Sequence, residues 1–381
     1  MSQKRNSQGV DQKIDALAAR IAQSSGPLLV RGGCSKPALS LHRATAEIIQ
    51  RDALPAGIVA YDPSEFLITA WAGTPVAELQ RATAEHGQYL PFDPLFANDG
   101  ATLGGTIAAG ISGPNQLLHG RIRDFVMEVE CIDGRGNRVR GGGKVVKNAA
   151  GFDLPKLMVG SYGRLGVITE ATLKVLPCPP AMRTVVARCQ DASAALQAMQ
   201  TLGSQPLPLA ATEYLPDGRL LLRFAGPQAS LPRVVDRAEH LLQQELDELE
   251  QEQAQWASPP WLNTVNAEYL LYVVHSPNQM PPLINALQER LGLDLRSVTA
   301  HGTASWWVAD QQDDLPGIDE RLREHRAAGV VVRGPVDALT LLGELPWLSL
   351  SRRIGRAIDP RGVFPQFIDG SLDSPAVGAK S

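Results

Sequence analysis

The amino-acid sequence predicts an α+β fold in two domains, and three observations predict it. The chain has 381 residues, which is long for one ordinary domain. In the first half, short β-branched runs alternate with helical segments and glycine-rich turns up to Pro177-Cys-Pro-Pro180, which marks a boundary. In the second half, the same order of strands and helices occurs twice. This repetition predicts two ferredoxin-like units that share one antiparallel sheet, with the helices on a single face.

The elements of the first domain follow from local patterns. We expect a disordered tail over residues 1–12, the domain itself over 13–178, and a helix over about 11–23 from the spacing of Ile14, Leu17 and Ile21. Asp133-Gly134 predicts a hairpin, and Asp153 a helix cap. Further strands are predicted at 27–30, 58–61, 66–71 and 167–176, and a helix at 76–86.

The second domain is predicted over residues 179–345 as a cap on the first. Its strands are expected at 183–189, 268–275, 295–299, 304–309 and 330–333 with a hairpin at 216–218, and its helices at 191–202, 231–255, 281–291 and 318–328. Neighbouring residues of a strand point to opposite faces, so one of Trp306 and Trp307 is expected in the core, and the other either packs within the cap, which we favour slightly, or forms a subunit contact. Residues 346–370 are expected to return to the first domain, and 371–381 to be disordered.

Composition and charge exclude several classes of protein. A net charge of −4 with pI near 6.0 gives no basic surface for nucleic acid. No apolar run approaches the ~20 residues of a membrane-spanning helix, and the polar N-terminus lacks the apolar core of a signal peptide, so we expect a cytoplasmic protein. Four scattered cysteines form no CxxC pair, so no metal site is expected, and any iron–sulfur centre belongs to another subunit.

Two glycine-rich segments are the candidate ligand site. The stretch from Gly100 to Pro114 combines five glycines with small, uncharged residues, and Arg31-Gly-Gly-Cys-Ser35 directly follows an apolar strand. Glycine lets the backbone approach a ligand closely, so amide groups can surround a phosphate. Neither a nicotinamide-type Gly-x-Gly-x-x-Gly nor a Gly-x-x-x-x-Gly-Lys-Ser/Thr phosphate loop is present, so the two bends are expected to hold a diphosphate in another way.

Five motifs of the sequence resemble those of a known family and thereby indicate which cofactor this site binds. Arg31-Gly-Gly-Cys-Ser35, Thr102-Leu-Gly-Gly105, Gly120-Arg-Ile-Arg-Asp124, Gly151-Phe-Asp-Leu154 and Val159-Gly-Ser-Tyr-Gly-Arg-Leu-Gly-Val-Ile-Thr169 together resemble the FAD-binding domain of the vanillyl-alcohol oxidase type, which has two subdomains. The finer pattern is similar to the FAD-binding E subunit of bacterial glycolate oxidase. Asp359-Pro-Arg-Gly-Val-Phe364 is similar to that family's C-terminal signature, except that Pro365 replaces an asparagine.

The resemblance implies the site residues and the partners. FAD would be held by Arg31, Gly32, Gly33, Cys34, Ser35, Thr102, Leu103, Gly104, Gly105, Ala109, Gly110, Ser112, Gly113, Asp124, Gly166, Val167 and Ile168. A flavin accepts a hydride and returns electrons singly, which suits a relay. The implied partners are a catalytic flavoprotein subunit and an iron–sulfur subunit, through which the complex could meet the membrane.

Three functions remain open at this stage. The resemblance implies that related catalytic flavoproteins carry a histidine-rich metal site in the cap, whereas the cap histidines here (His240, His275, His301 and His325) are far apart in sequence. We therefore favour an electron-transferring FAD subunit of a glycolate or 2-hydroxy acid oxidase whose catalytic residues lie on the partner. The alternatives are a stand-alone FAD-dependent 2-hydroxy acid dehydrogenase and a structural subunit that has lost its flavin.

Overall fold

A five-stranded and a nine-stranded antiparallel sheet form the two halves of this computed structural model, which describes residues 2–41, 47–143, 153–249, 256, 259, 262, 269–310, 314–337 and 339–367. The strands of the N-terminal half are β1 Leu28–Val30, β2 Glu47–Ile49, β3 Ile58–Asp62, β4 Leu67–Trp71, β5 Gln88–Tyr89, β6 Val126–Ile132, β7 Arg138–Gly142, β8 Val167–Lys174 and β9 Leu176–Pro177. Its helices are α1 Ser2–Gln23, α2 Val76–Ala84, α3 Leu103–Ala109, α4 Gln116–His119, α5 Ile122–Phe125 and α6 Leu154–Met158.

The described N-terminal half contains one five-stranded sheet and two two-stranded sheets, one of which pairs β5 with β9. Strands β3, β4, β8, β6 and β7 form the larger sheet in that order, and β1 pairs in parallel with β2 in a separate small sheet. Helix α1 covers the small sheet through Ile14, Leu17 and Ile21. This helix begins at Ser2, so the disordered tail expected over residues 1–12 is wrong. Long polar residues such as Gln and Lys have good helix propensity, and a polar start therefore does not prevent a helix.

Hydrogen bonds to the Asp133 side chain stabilise the hairpin turn of the larger sheet. Asp133 accepts hydrogen bonds from the amides of Arg135 at 2.9 Å and Asn137 at 2.8 Å, which closes the turn between β6 and β7. Asp153 begins α6 by accepting from the amide of Lys156 at 3.1 Å. The predicted hairpin and helix cap are both confirmed.

The C-terminal half is one sheet, and four of its described helices pack on one face. Its strands are β10 Ala181–Arg188, β11 Leu209–Tyr214, β12 Arg219–Gly226, β13 Asp247–Glu248, β14 Tyr269–Val274, β15 Asp294–Thr299, β16 Ala304–Ala309, β17 Ala328–Arg333 and β18 Leu341–Gly343. Their order is β13-β10-β12-β11-β15-β16-β14-β17-β18. The helices are α7 Ala192–Gly203, α8 Leu231–Leu242, α9 Met280–Leu291, α10 Asp314–Glu324 and α11 Leu348–Ile358. Residues of α7 to α10 share one core cluster with the sheet, and the predicted α+β class is confirmed.

One expectation for this half is wrong, and one question that the sequence left open is answered. Helix α8 ends at Leu242, not near 255, because Gln243 adopts a left-handed conformation (φ 54°) and the chain then extends into β13 beside β10. Trp306 and Trp307 are both buried, at 2% and 0% exposure. Trp307 packs under the helices, whereas Trp306 lies on the other face in the cluster shared with the N-terminal half. The sheet is covered on both faces, so neither tryptophan is a surface contact.

The C-terminal segment contacts the small N-terminal sheet. After α11, the buried Asp359 carboxylate accepts the amides of Val363 at 3.0 Å and Phe364 at 2.6 Å. The Val363 carbonyl then accepts the amide of Leu28 at 2.7 Å. A Cβ on Gly134 would lie 2.1 Å from the Asp359 carboxylate, so this carboxylate is also seated against the hairpin turn.

Candidate functional site

A cleft of about 720 Å³ opens where the two glycine-rich segments meet. One wall is the loop of residues 32–36, the second is the start of α3, and the third is the segment from Tyr162 to Ile168. The cleft is lined by Val30, Gly32, Gly33, Cys34, Ser35, Lys36, Leu39, Ser40, Leu54, Ala72, Thr102, Gly104, Gly105, Ala108, Ala109, Tyr162, Gly163, Gly166, Val167 and Ile168.

Several glycines are required because the loops touch each other. A Cβ on Gly33 would lie 1.6 Å from the carbonyl oxygen of Gly100, and one on Gly32 would lie 2.4 Å from Oγ1 of Thr102. A Cβ on Gly104 would lie 2.8 Å from the Cβ of Ala72. These glycines therefore set the shape of the cleft by letting its walls pack.

The amide donors lie mainly in the first loop. The amides of residues 32–36 form no hydrogen bond with any other residue that the structure describes. On the second segment, the amide of Leu103 donates to the Thr74 carbonyl and that of Gly104 to the Ala72 carbonyl, each at 2.9 Å. The expectation that both bends offer amides alike is thus corrected, since α3 is tied to the chain beside it and forms a wall.

Lys36 gives the first loop a positive charge. Its half-buried ammonium donates to Oγ of Ser35 at 3.2 Å and lies 5.3 Å from the Phe96 ring centre. Burial and, to a smaller extent, the charge of Arg333 lower the pKa of Lys36 to about 8, against the opposing effect of Asp99. A desolvated ammonium beside five unpaired amides is a site for an anion.

The cap holds this loop in place through Arg333 at the end of β17. Its Nε donates to the Ser35 carbonyl at 3.0 Å, and its Nη2 pairs with the Asp99 carboxylate at 2.5 Å. The guanidinium lies 4.6 Å from the centre of the Phe96 ring. One cap side chain therefore links both sides of the cleft, which sequence analysis did not predict because Arg333 is 297 residues beyond Lys36 in the chain.

The third wall is a glycine turn held by a buried arginine. Gly163 and Gly166 have φ values of 71° and 151°, which favour glycine, and a Cβ on Gly163 would meet nothing within 4 Å. The guanidinium of Arg164 donates to the carbonyls of Tyr162 at 3.0 Å and Leu41 at 3.1 Å. Burial lowers the pKa of Arg164 to about 10. This arginine positions the turn relative to the first loop.

Most of the predicted FAD residues line this cleft. Gly32, Gly33, Cys34, Ser35, Thr102, Gly104, Gly105, Ala109, Gly166, Val167 and Ile168 do so, whereas Arg31, Leu103, Gly110, Ser112, Gly113 and Asp124 do not.

The residues outside the cleft have other contacts. Ser112 accepts the amide of Ile122 at 2.9 Å, and Asp124 accepts that of Arg121 at 2.9 Å. A Cβ on Gly113 would lie 2.4 Å from the Asp93 carbonyl oxygen. Gly151 and Phe152 of the resemblance lie outside the described residues.

The residues present fit the diphosphate and nucleoside part of FAD. Unpaired amides and Lys36 suit the diphosphate, and the glycine turn leaves open space. Two buried hydroxyls near the cleft, Oγ1 of Thr106 and Oγ of Ser161, have no hydrogen-bond partner among the described residues, but neither residue lines the cleft. Sequence analysis missed Lys36 and Tyr162, although Lys36 directly follows the glycine loop.

A second, larger cavity of about 1530 Å³ adjoins the cleft between the two halves. Ala109 and Tyr162 line both spaces, and Gly110 lines the second. Of the cap histidines, His275 lines this cavity. Within the described parts of the chain, no three histidine, cysteine or acidic side chains are grouped to hold a metal ion.

Comparison with known proteins agrees with the geometry. Residues 11–142 match the family described as an FAD binding domain. The chain is 40% identical over 207 residues to glycolate oxidase subunit GlcE of Escherichia coli strain K12, which covers 54% of this chain and 57% of the relative. It is 33% identical over 175 residues to glycolate oxidase subunit GlcD of Bacillus subtilis strain 168, covering 46% and 37%. The cofactor expectation, FAD, and the resemblance to the E subunit are confirmed.

A solved structure shows the same fold. An alkyldihydroxyacetonephosphate synthase superposes with a TM-score of 0.68 at 16% identity, covering 93% of this chain and 74% of that one. The sequence matches span about half or less of the curated relatives. Among the described helices, none is both long enough and apolar enough to cross a bilayer.

Proposed function

We propose that this chain is the FAD-binding subunit of a multi-subunit oxidase or dehydrogenase of glycolate or another 2-hydroxy acid. In this role it carries electrons beside a separate catalytic flavoprotein subunit and an iron–sulfur subunit. The observation that carries the proposal is the cleft, which is lined by Lys36 and by the loop of residues 32–36, whose five amides have no partner among the residues that the structure describes. The likeness to glycolate oxidase subunits supports the substrate class.

The described residues of the larger cavity favour electron transfer over substrate oxidation on this chain. Oxidation of a 2-hydroxy acid requires a base or a metal at the hydroxyl. His275 is the histidine that lines this cavity, and both of its ring nitrogens lie within hydrogen-bond distance of other groups. His275 is therefore not the base, Glu344 is the one carboxylate among the described lining residues, and we propose that the hydride-removing step takes place on the catalytic partner.

The test is co-purification from native extract followed by an absorbance spectrum. We expect one FAD per chain, together with a second flavoprotein and an iron–sulfur absorbance. The isolated chain given glycolate or D-lactate and a dye is expected to reduce no dye. Dye reduction by the isolated chain would favour the stand-alone dehydrogenase, and a folded but colourless chain that takes up no added FAD would favour the structural subunit.

A further inference from the structure

The start of helix α11 carries an exposed apolar pair. Leu350 is 55% exposed, the most exposed of the large apolar side chains that the structure describes, and Trp347 is 36% exposed. The two residues are three positions apart, so they lie side by side along the helix. Single exposed apolar side chains are ordinary, whereas adjacent ones beside charged groups are typical of a surface that binds another molecule.

The charge beside this pair is one-sided. Residues 345–358 contain three arginines and no acidic residue, although the net charge of the chain is −4. Two of these arginines, Arg353 and Arg356, are exposed, and their guanidinium groups form no hydrogen bond or ion pair with a described residue. The flanking carboxylates are the exposed Glu344 and the buried Asp359. Unpaired guanidinium groups around exposed apolar side chains complement an acidic protein surface. We call the following four residues the α11 face: Trp347, Leu350, Arg353 and Arg356.

Aromatic contacts connect the α11 face with the cofactor cleft. The Trp347 ring packs edge-on against the Phe367 ring, with ring centres 5.7 Å apart, and Phe367 packs edge-on against Tyr162 at 6.5 Å. Tyr162 lines the cleft. A protein bound at the α11 face is therefore separated from the cleft wall by two ring contacts. This position suits a protein that receives electrons from a flavin in the cleft, because electron transfer weakens steeply with distance.

A lipid surface and a second copy of this chain fit the α11 face less well. A helix that lies in a lipid surface buries a wide apolar face. In α11, however, Leu348 and Ile354 pack inward against the core that the two halves share. In a symmetric contact between two copies, the same basic face would lie on both sides and the like charges would repel. An acidic protein of another kind satisfies both the arginines and the exposed apolar pair.

We propose that the α11 face is the docking surface for a partner protein that presents carboxylates around an apolar pocket. Trp347 and Leu350 fill the pocket, and Arg353 and Arg356 pair with the carboxylates. Tryptophan and arginine are enriched among the residues that dominate binding energy at protein interfaces. The identification of the partner as the electron-accepting iron–sulfur subunit rests on the proposed function, whereas the docking of an acidic protein does not.

The first experiment is photo-cross-linking of the full-length chain in its native host. Leu350→p-benzoylphenylalanine places a photoreactive group in the α11 face, and Val59→p-benzoylphenylalanine is the matched control, because Val59 is 44% exposed on β3. We expect the group at position 350 to cross-link one other protein within an acidic segment, located by mass spectrometry of the joined peptides. The group at position 59 should give no such product.

The second experiment reverses the charge of the α11 face. The double variant Arg353→Glu, Arg356→Glu should retain about tenfold less of the cross-linked protein on co-purification. The control is Arg233→Glu, Arg237→Glu, a pair of exposed arginines on α8 whose guanidinium groups form no ion pair with a described residue, and it should retain as much as the parent. The FAD content and the thermal unfolding midpoint of each variant should equal those of the parent, which separates loss of docking from loss of fold.

The proposal is overturned if the group at position 350 cross-links no other protein, or only lipid or the chain itself. It is also overturned if the charge-reversed variant, still folded, retains the partner in full. The iron content of the purified complex separates this test from the proposed function. An acidic partner without iron would refute the electron-accepting role and leave the docking surface standing, whereas an iron–sulfur protein retained in full by the charge-reversed variant would do the opposite.

Discussion

Replacing Lys36 by methionine is expected to move FAD affinity and apoprotein stability in opposite directions. The change removes the ammonium and keeps most of the aliphatic stem. A hydrogen bond to a charged group contributes about 1.5–3 kcal/mol, so the variant should bind FAD about 10- to 150-fold more weakly. Lys13→Met, on the exposed face of α1 away from the cleft, is the control and should bind as the parent does.

The stability effect follows from the lowered pKa of Lys36. In the FAD-free protein this pKa is about 8 against an ordinary value of 10.5, mainly through burial, so the fold disfavours the charged form. The ammonium therefore destabilises the apoprotein below pH 8, and the cost disappears as the pH rises from about 8 towards 10.5. At pH 7 Lys36→Met should stabilise the apoprotein by about 1–3 kcal/mol, measured by urea denaturation.

The pH profile of FAD binding gives a third readout. Bound phosphates favour the protonated amine, so parent affinity should be flat below pH 8 and fall above it by up to about tenfold per pH unit. Lys36→Met should lack this fall, and Lys36→Arg should keep tight binding to higher pH. Unchanged FAD affinity in Lys36→Met, or the same fall in both parent and variant, would refute the assignment of Lys36 to the diphosphate.

Three further substitutions test the surroundings of the cleft. Gly33→Ala should force the two loops apart, which should destabilise the protein by about 1–3 kcal/mol and reduce its FAD content. Gly26→Ala is the control, because its Cβ would have no atom within 4 Å, and it should have neither effect. Equal denaturation midpoints for the two variants would contradict this prediction. Arg333→Met should speed FAD release about tenfold in stopped-flow exchange, because the Ser35 carbonyl loses its hydrogen bond from the guanidinium. The exposed Arg188→Met is the control, and an unchanged release rate in Arg333→Met would exclude a role for Arg333 in holding the loop. Asp359→Ala should lower the free energy of unfolding by about 1–3 kcal/mol, because the amides of Val363 and Phe364 lose their acceptor. Thermal unfolding checks this, with the exposed Asp217→Ala as the control that should unfold as the parent does.

Local patterns predicted most of the fold. Strand β8 and the Asp133-Gly134 hairpin follow from β-branched runs and turn residues, which act over a few residues. Helix α8 shows the limit of this reasoning. Its leucine spacing continues past Leu242, but a left-handed Gln243 and the pairing of β13 with β10 end the helix. Pairing between distant strands is a tertiary effect that periodicity does not encode.

The candidate site was predicted in part for the same reason. Glycine spacing located both walls of the cleft, because close approach demands glycine wherever it occurs. It did not show that Gly33 packs against Gly100 or that the amide of Gly104 is already bonded to Ala72. The roles of Arg333 and of the second cavity depend on how the cap sits on the first half, which only the folded structure reveals.

The central claim is that the main chain of residues 32–36, with Lys36, binds the diphosphate of FAD. Its most direct test compares the dissociation constants of FAD and riboflavin, which lacks the diphosphate, for the parent and for Lys36→Met. We expect the parent to bind FAD at least about 100-fold more tightly than riboflavin, and the substitution to weaken FAD alone. Equal affinity for both flavins, or an equal loss for both in the variant, would contradict the claim.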